Sequence, residues 1–161
     1  MDNNQSSCFC DEKKSGILPP CSHEEEENMP HIVLQFSGEH NATLMHQAVE
    51  VIQDLTATVL GKDRPVMAIS VQFIADDQWF IGGETLKTLA RSAFHLDISI
   101  TDETNTKAEK SRFVRELYQA LAALRPDLHD VSYIHLIDAR AAAYGYGGRT
   151  QEWRHQQAGV A

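Results

Sequence analysis

Residues 66–83 read VMAISVQFIADDQWFIGG and residues 131–148 read VSYIHLIDARAAAYGYGG. The two stretches align without a gap at an offset of 65 residues. Each opens as a short apolar run rich in branched side chains, the signature of a strand. Each closes on an aromatic residue followed by a Gly-Gly turn, Trp79 to Gly83 and Tyr144 to Gly148. In the first copy Met67, Ile69, Val71 and Phe73 alternate with Ala68, Ser70 and Gln72, so the strand has one apolar face and one mixed face.

The likeness extends upstream of both strands. Residues 31–36 and 94–100 read as strands, and Pro30-His31-Ile32 lies 64 residues before Phe94-His95-Leu96. After the first of these, Gly38 to Asn41 is a turn with Asn41 as a helix N-cap. Apolar residues then recur at Met45, Ala48, Ile52, Leu55 and Val59, one stripe of a helix that Gly61 ends. In the second copy Thr106 and Glu109 have capping-box spacing, and Phe113, Leu117, Leu121 and Leu124 form the stripe before Pro126. The chain after residue 29 is therefore two βαβ units, residues 30–83 and 94–148. The fold class expected is α+β: duplicated βαβ units forming one four-stranded mixed sheet with two helices on one face. Parallel strands within each unit follow from the crossover helix. The helices would cover Met67, Ile69, Val71 and Phe73, together with Ile134 and Leu136. The other face would carry Ala68, Ser70 and Gln72, and Tyr133, His135 and Ile137. The first-strand face bearing Leu34 and Phe36, or Leu96 and Ile98, is also apolar. A sheet with one uncovered, partly apolar face needs a partner, and a homo-oligomer is expected.

Composition sets outer limits. The chain has 161 residues and a formal net charge of −9, which argues against nucleic-acid or anionic-membrane partners. No apolar run approaches the roughly 18 residues of a membrane span, and the first residues lack a secretory pattern. A cytoplasmic location is expected. Residues 1–29 hold seven acidic and two basic side chains, and all three cysteines: Cys8, Cys10 and Cys21. This stretch has no helical or strand period and is expected to be a disordered acidic tail. Cys8, Cys10, Cys21 and His23 do not have the paired spacing of a zinc site, and no metal is expected. The purine-rich codons of Glu24 to Glu27 lie just before Met29, so residues 1–28 are alternatively a misassigned start. The working domain is residues 30–161.

That boundary gives Pro30 its interest. Proline fixes φ and lacks a backbone N–H, so it opens a strand but does not sit inside one. If Met29 were the true start, its removal would leave Pro30 as a free secondary amine, a base that needs no carboxylate or imidazole.

With Met29-Pro30 opening a strand, the duplicated βαβ and the Trp79-Phe80-Ile81-Gly82-Gly83 turn, the chain resembles the tautomerase superfamily. That group includes the 4-oxalocrotonate tautomerases, their double-length relatives and macrophage migration inhibitory factor. The match covers residues 30 to about 148, and the tail from Arg149 to Arg154 is similar to the ends of double-length members. The resemblance implies a homotrimer with pockets at subunit boundaries, Pro30 as general base, and no metal or organic cofactor. It implies a cofactor-independent keto–enol tautomerase, an isomerase moving a proton in a small enol or α-keto acid through an enolate. Such a base must be unprotonated near neutral pH, which apolar burial or a nearby cation favours; Leu34, Phe36, Trp79 and Phe80 would supply an apolar wall. The family's two substrate-binding arginines are replaced here by His40 and Ala68, with Thr104 and Tyr133 at the duplicated positions. Candidate substitutes are His40, Tyr133, His135, Arg140 and Arg149, with Trp79 lining the pocket. A hydratase or dehalogenase relative, and a non-catalytic oligomeric binding protein of the same fold, are the alternatives.

Overall fold

A computed structural model describes residues 29–158. The expectations for residues 1–28, including Cys8, Cys10, Cys21 and His23, lie outside the described residues. Strand β1 (His31–Ser37) leads into helix α1 (Ala42–Leu60), and a 3-10 turn (Arg64–Val66) feeds strand β2 (Ala68–Ile74). A ribbon of β3 (Phe80–Ile81) and β4 (Glu84–Thr85) follows, then the one-turn helix α2 (Leu86–Leu89). The second unit runs β5 (Phe94–Thr101), α3 (Lys107–Leu124), β6 (Tyr133–Ala139), ribbon β7 (Gly145–Tyr146) and β8 (Arg149–Thr150), and α4 (Gln151–Ala158).

The sheet has the order β2-β1-β5-β6. The β1–β2 and β5–β6 pairs are parallel and the central β1–β5 pair is antiparallel. This is the expected mixed sheet, with the two units related by an approximate two-fold between β1 and β5. Local chemistry sets each helix. The Asn41 side chain accepts from the Leu44 N–H at 3.0 Å. Gly61 closes α1 with a left-handed φ of 64°. Thr106 and Glu109 complete the capping box at the start of α3. The hydrogen bond from the Thr106 backbone lowers the Glu109 pKa, as expected of a carboxylate that accepts donors at a helix N-terminus. A two-residue hairpin turn of type I′ needs positive φ at both central positions, which glycine adopts without a side-chain clash. Both ribbons meet that need with Gly82-Gly83 and Gly147-Gly148.

One expectation about the faces is corrected. Leu34, Phe36, Leu96 and Ile98 are all buried on the helix-covered face, in one core with Ala48, Ile52, Phe113, Leu117 and Leu121. The register dictates this. Leu34 lies opposite both Val71 and Leu96, and Phe36 opposite Phe73 and Phe94, so these side chains share a face. The Phe36 ring lies 5.9 Å from that of Phe73 and edge-on to Phe94 at 6.5 Å. The bare face is consequently more polar than expected. It carries Gln35, Gln72, His95, Asp97, His135 and Tyr133, with Ile137 at one edge strand. No helix among the described residues is long and apolar enough to cross a membrane.

Candidate functional site

Because β1 and β5 run antiparallel, the sheet has two chemically distinct ends. Pro30 marks one end and His95 the other, separated by about 16 Å at roughly 3.3 Å per strand residue.

At the first end Pro30 is buried just before β1, and its carbonyl accepts from the Ala68 N–H at 3.4 Å. Met29 is also buried, and its carbonyl accepts a hydrogen bond from the Tyr144 hydroxyl. Tyr144 precedes the β7–β8 ribbon, so the second unit's aromatic turn reaches the head of the first unit's strand. The same ribbon carries Arg149, whose guanidinium lies 4.1 Å from the Trp153 ring centre. Arg154 stacks at 3.8 Å on Tyr146 and donates to its carbonyl. The Arg140 residue, just past β6, is exposed.

The helix layer at this end holds a group with no conspicuous signal in the sequence. Lys62 is 3% exposed, and its Nζ donates to Thr104 Oγ1 at 2.8 Å. Burial pulls its pKa down to about 8, although Glu109 and Asp63 act in the opposite direction. A lysine directly after a C-capping glycine normally reads as solvated. It is buried here because the Thr101–Thr106 turn of the second unit closes over it, a contact between segments 42 residues apart.

The other end of the sheet holds a cavity of about 500 Å³. Its walls are Trp79, Phe80, Ile81 and Gly82 from the first ribbon, with Gln35, His95, Tyr133, Ile74, Gln78 and Val131. Trp79 and Tyr133 are thus brought together, but within one chain they lie far from Pro30. Leu34 and Phe36 cannot wall any pocket, being fully enclosed under the helices. His40 is exposed at the same end as the cavity, with its ring 5.3 Å from Phe73, on the helix side of the sheet. His135 sits on the bare face, its Nδ1 3.3 Å from Asp97 Oδ1. Asp97 also meets His95 Nε2 at 3.0 Å. Neither Asp97 nor His95 was singled out as a site residue from the sequence. The β1–β5 register puts both on the bare face, and the β5–β6 register puts Asp97 beside His135.

The two aromatic Gly-Gly ribbons lie at opposite ends of a sheet made from two βαβ units, an α+β architecture with an internal duplication. The chain matches no protein-family model, and no curated protein matches it in sequence. Solved structures do match in fold. A fused 4-OT wild type solved as a symmetric trimer is 15% identical, with a TM-score of 0.61 over 76% of this chain and 97% of its own. Pt0534 inactivated by 2-oxo-3-pentynoate is 11% identical, with a TM-score of 0.66 over 76% of this chain and 96% of its own. A macrophage migration inhibitory factor-like protein from Entamoeba histolytica is 14% identical, with a TM-score of 0.59 over 75% of this chain and 97% of its own. The chain shares the fold of these fused 4-OT, Pt0534 and macrophage migration inhibitory factor-like proteins.

Proposed function

We propose that the protein is a cofactor-independent keto–enol tautomerase, acting in the cytoplasm on a small enol or α-keto acid with Pro30 as general base. The observation that carries this reading is the placement of Pro30. It is buried at the head of β1, under a ribbon whose Tyr144 hydroxyl bonds the carbonyl of the residue before it. With residues 1–29 removed, that hydroxyl loses its acceptor and is left beside a secondary amine. The amine takes a proton from the carbon α to a carbonyl and returns it at the other end of the enolate. Arg149, on the same ribbon, is the cation proposed to meet the substrate carboxylate. Fused 4-OT is known as symmetric and asymmetric trimers, which supports a homotrimer here. The edge strands β2 and β6 are the surfaces that a trimer would cover.

A non-catalytic binding protein of the same fold is the second reading, and a specific observation favours it. With Met29 in place the Pro30 nitrogen is an amide without basicity, and Met29 is packed rather than exposed. The two readings separate cleanly. Residues 30–161 and the full chain are assayed for ketonisation of phenylenolpyruvate and 2-hydroxymuconate. The tautomerase reading expects activity in the short form, a loss of at least about 100-fold in Pro30→Ala, and little activity in an intact full chain. An inactive short form, or a Pro30→Ala variant with an unchanged rate, supports the binding reading instead.

A further inference from the structure

The cavity at the far end of the sheet is the two-fold counterpart of the Pro30 site. Phe94 stands where Pro30 stands, and it is fully buried inside the chain, so no amine can form there. Trp79 takes the place of Tyr144, and Tyr133 and His95 stand where Ala68 and His31 stand in the first unit. The scaffold of the first site is repeated, with Phe94 in place of the base and a histidine kept beside it.

We propose that this cavity binds a neutral planar aromatic molecule bearing a hydroxyl, a phenol or an aryl enol, with His95 as the hydrogen-bond acceptor. Three features set that chemistry. The walls include Trp79, Phe80 and Tyr133, large flat faces suited to an aromatic ring, in about 500 Å³ of space. None of the lining side chains is Lys or Arg, so nothing there compensates a ligand carboxylate. The Asp97 carboxylate accepts only, so the His95 Nε2 atom 3.0 Å away carries the hydrogen. In the neutral imidazole that arrangement leaves Nδ1 with the lone pair. His135 Nδ1 lies 3.3 Å from the same Asp97 oxygen. Gln78 adds an amide that pairs with a carbonyl or a second hydroxyl, while the Gln35 amide donates to Gln72 Oε1 at 3.1 Å.

The site does not depend on the reading of Pro30, and its test is independent too. The full chain is titrated by calorimetry with 4-hydroxyacetophenone, 4-methoxyacetophenone and 4-hydroxybenzoate. The proposal expects one site per chain for the hydroxy ketone. It expects at least about tenfold weaker binding of the methoxy ether and of the anion, the worth of one buried hydrogen bond. His95→Phe, which keeps a ring but no acceptor, should weaken the hydroxy ketone by a similar factor and leave the ether unchanged. Trp79→Ala, outside the central sheet, should abolish binding, and it carries the test if His95→Phe does not fold. Pro30→Ala should bind as the parent does. Absence of binding, equal affinity for phenol and ether, anion binding as tight as the phenol, or indifference to Trp79→Ala would each overturn the proposal. So would loss of binding in Pro30→Ala, which would place the ligand at the opposite end.

Discussion

At the residue scale, the two ends of the sheet show how burial and pairing decide chemistry for similar side chains. Lys62 sits in the fold with its pKa near 8, well below the ordinary 10.5, because desolvation outweighs the attraction of Glu109 and Asp63. The sign of the resulting pH dependence follows from linkage. Below about pH 8 the lysine is charged in both folded and unfolded chains, and the cost of burying the charge is fully present. Between about 8 and 10.5 the unfolded chain holds more protons than the folded one, so stability from this group rises with pH. The rise is of the order of 3 kcal/mol at about 1.4 kcal/mol per unit. Chemical denaturation of the parent and of Lys62→Met across that window checks it. The variant should lack this rise and be the more stable at pH 7. A parent whose stability profile matches that of Lys62→Met would remove the buried-charge account.

At the scale of elements, each helix is bounded by side chains that satisfy its end groups, and α3 depends on this most. Its N-terminus is held by the reciprocal Thr106–Glu109 pair, with Thr106 N to Glu109 Oε2 at 2.8 Å and Glu109 N to Thr106 Oγ1 at 3.2 Å. Thr106→Ala removes the side-chain half of the box and should lower stability by about 1 kcal/mol. The turn before it covers Lys62, so hydrogen exchange of the Lys62 amide should also quicken in that variant. Unfolding by urea and exchange by NMR measure the two effects. The elements also show where the sequence was legible. Asn41, Gly61 and the capping box were readable because a cap is a local arrangement of neighbouring residues. The β3–β4 and β7–β8 ribbons were readable only as turns: each strand is two residues long, too short for any period. The helix α4 was read as a tail, since Gln151–Ala158 carries a mostly polar surface and little apolar stripe.

At the scale of the whole molecule, assembly is the question the sheet raises. Each edge strand, β2 and β6, has one side without a strand partner among the described residues, and Ile137 on the bare face of β6 is left exposed. Leu34, Phe36, Leu96 and Ile98 lie under the helices and add nothing to the bare face, yet the free edges and Ile137 still call for a partner. A trimer should sediment at three times the 18.0 kDa mass of the chain. Ile137→Lys, a charge on the bare face of edge strand β6, should weaken it by at least about tenfold in dissociation constant. A parent that sediments at the mass of a single chain would rule out the trimer.

The sequence by itself determined the duplication, the period of every main strand and helix, and the position of Pro30 at the head of β1. Those properties are local or repeat at fixed spacing, and nothing distant is needed to read them. Only the tertiary structure decided which candidates stand together. The antiparallel β1–β5 pairing sends Pro30 and Tyr144 to one end and Trp79, Tyr133 and His95 to the other. The same register turned Leu34 and Phe36 under the helices and set Asp97 between two histidines. The physical reason is that alternation along a strand tells which side chains share a face. Which strand lies beside it, and in which direction, is fixed by packing the two halves into a single core.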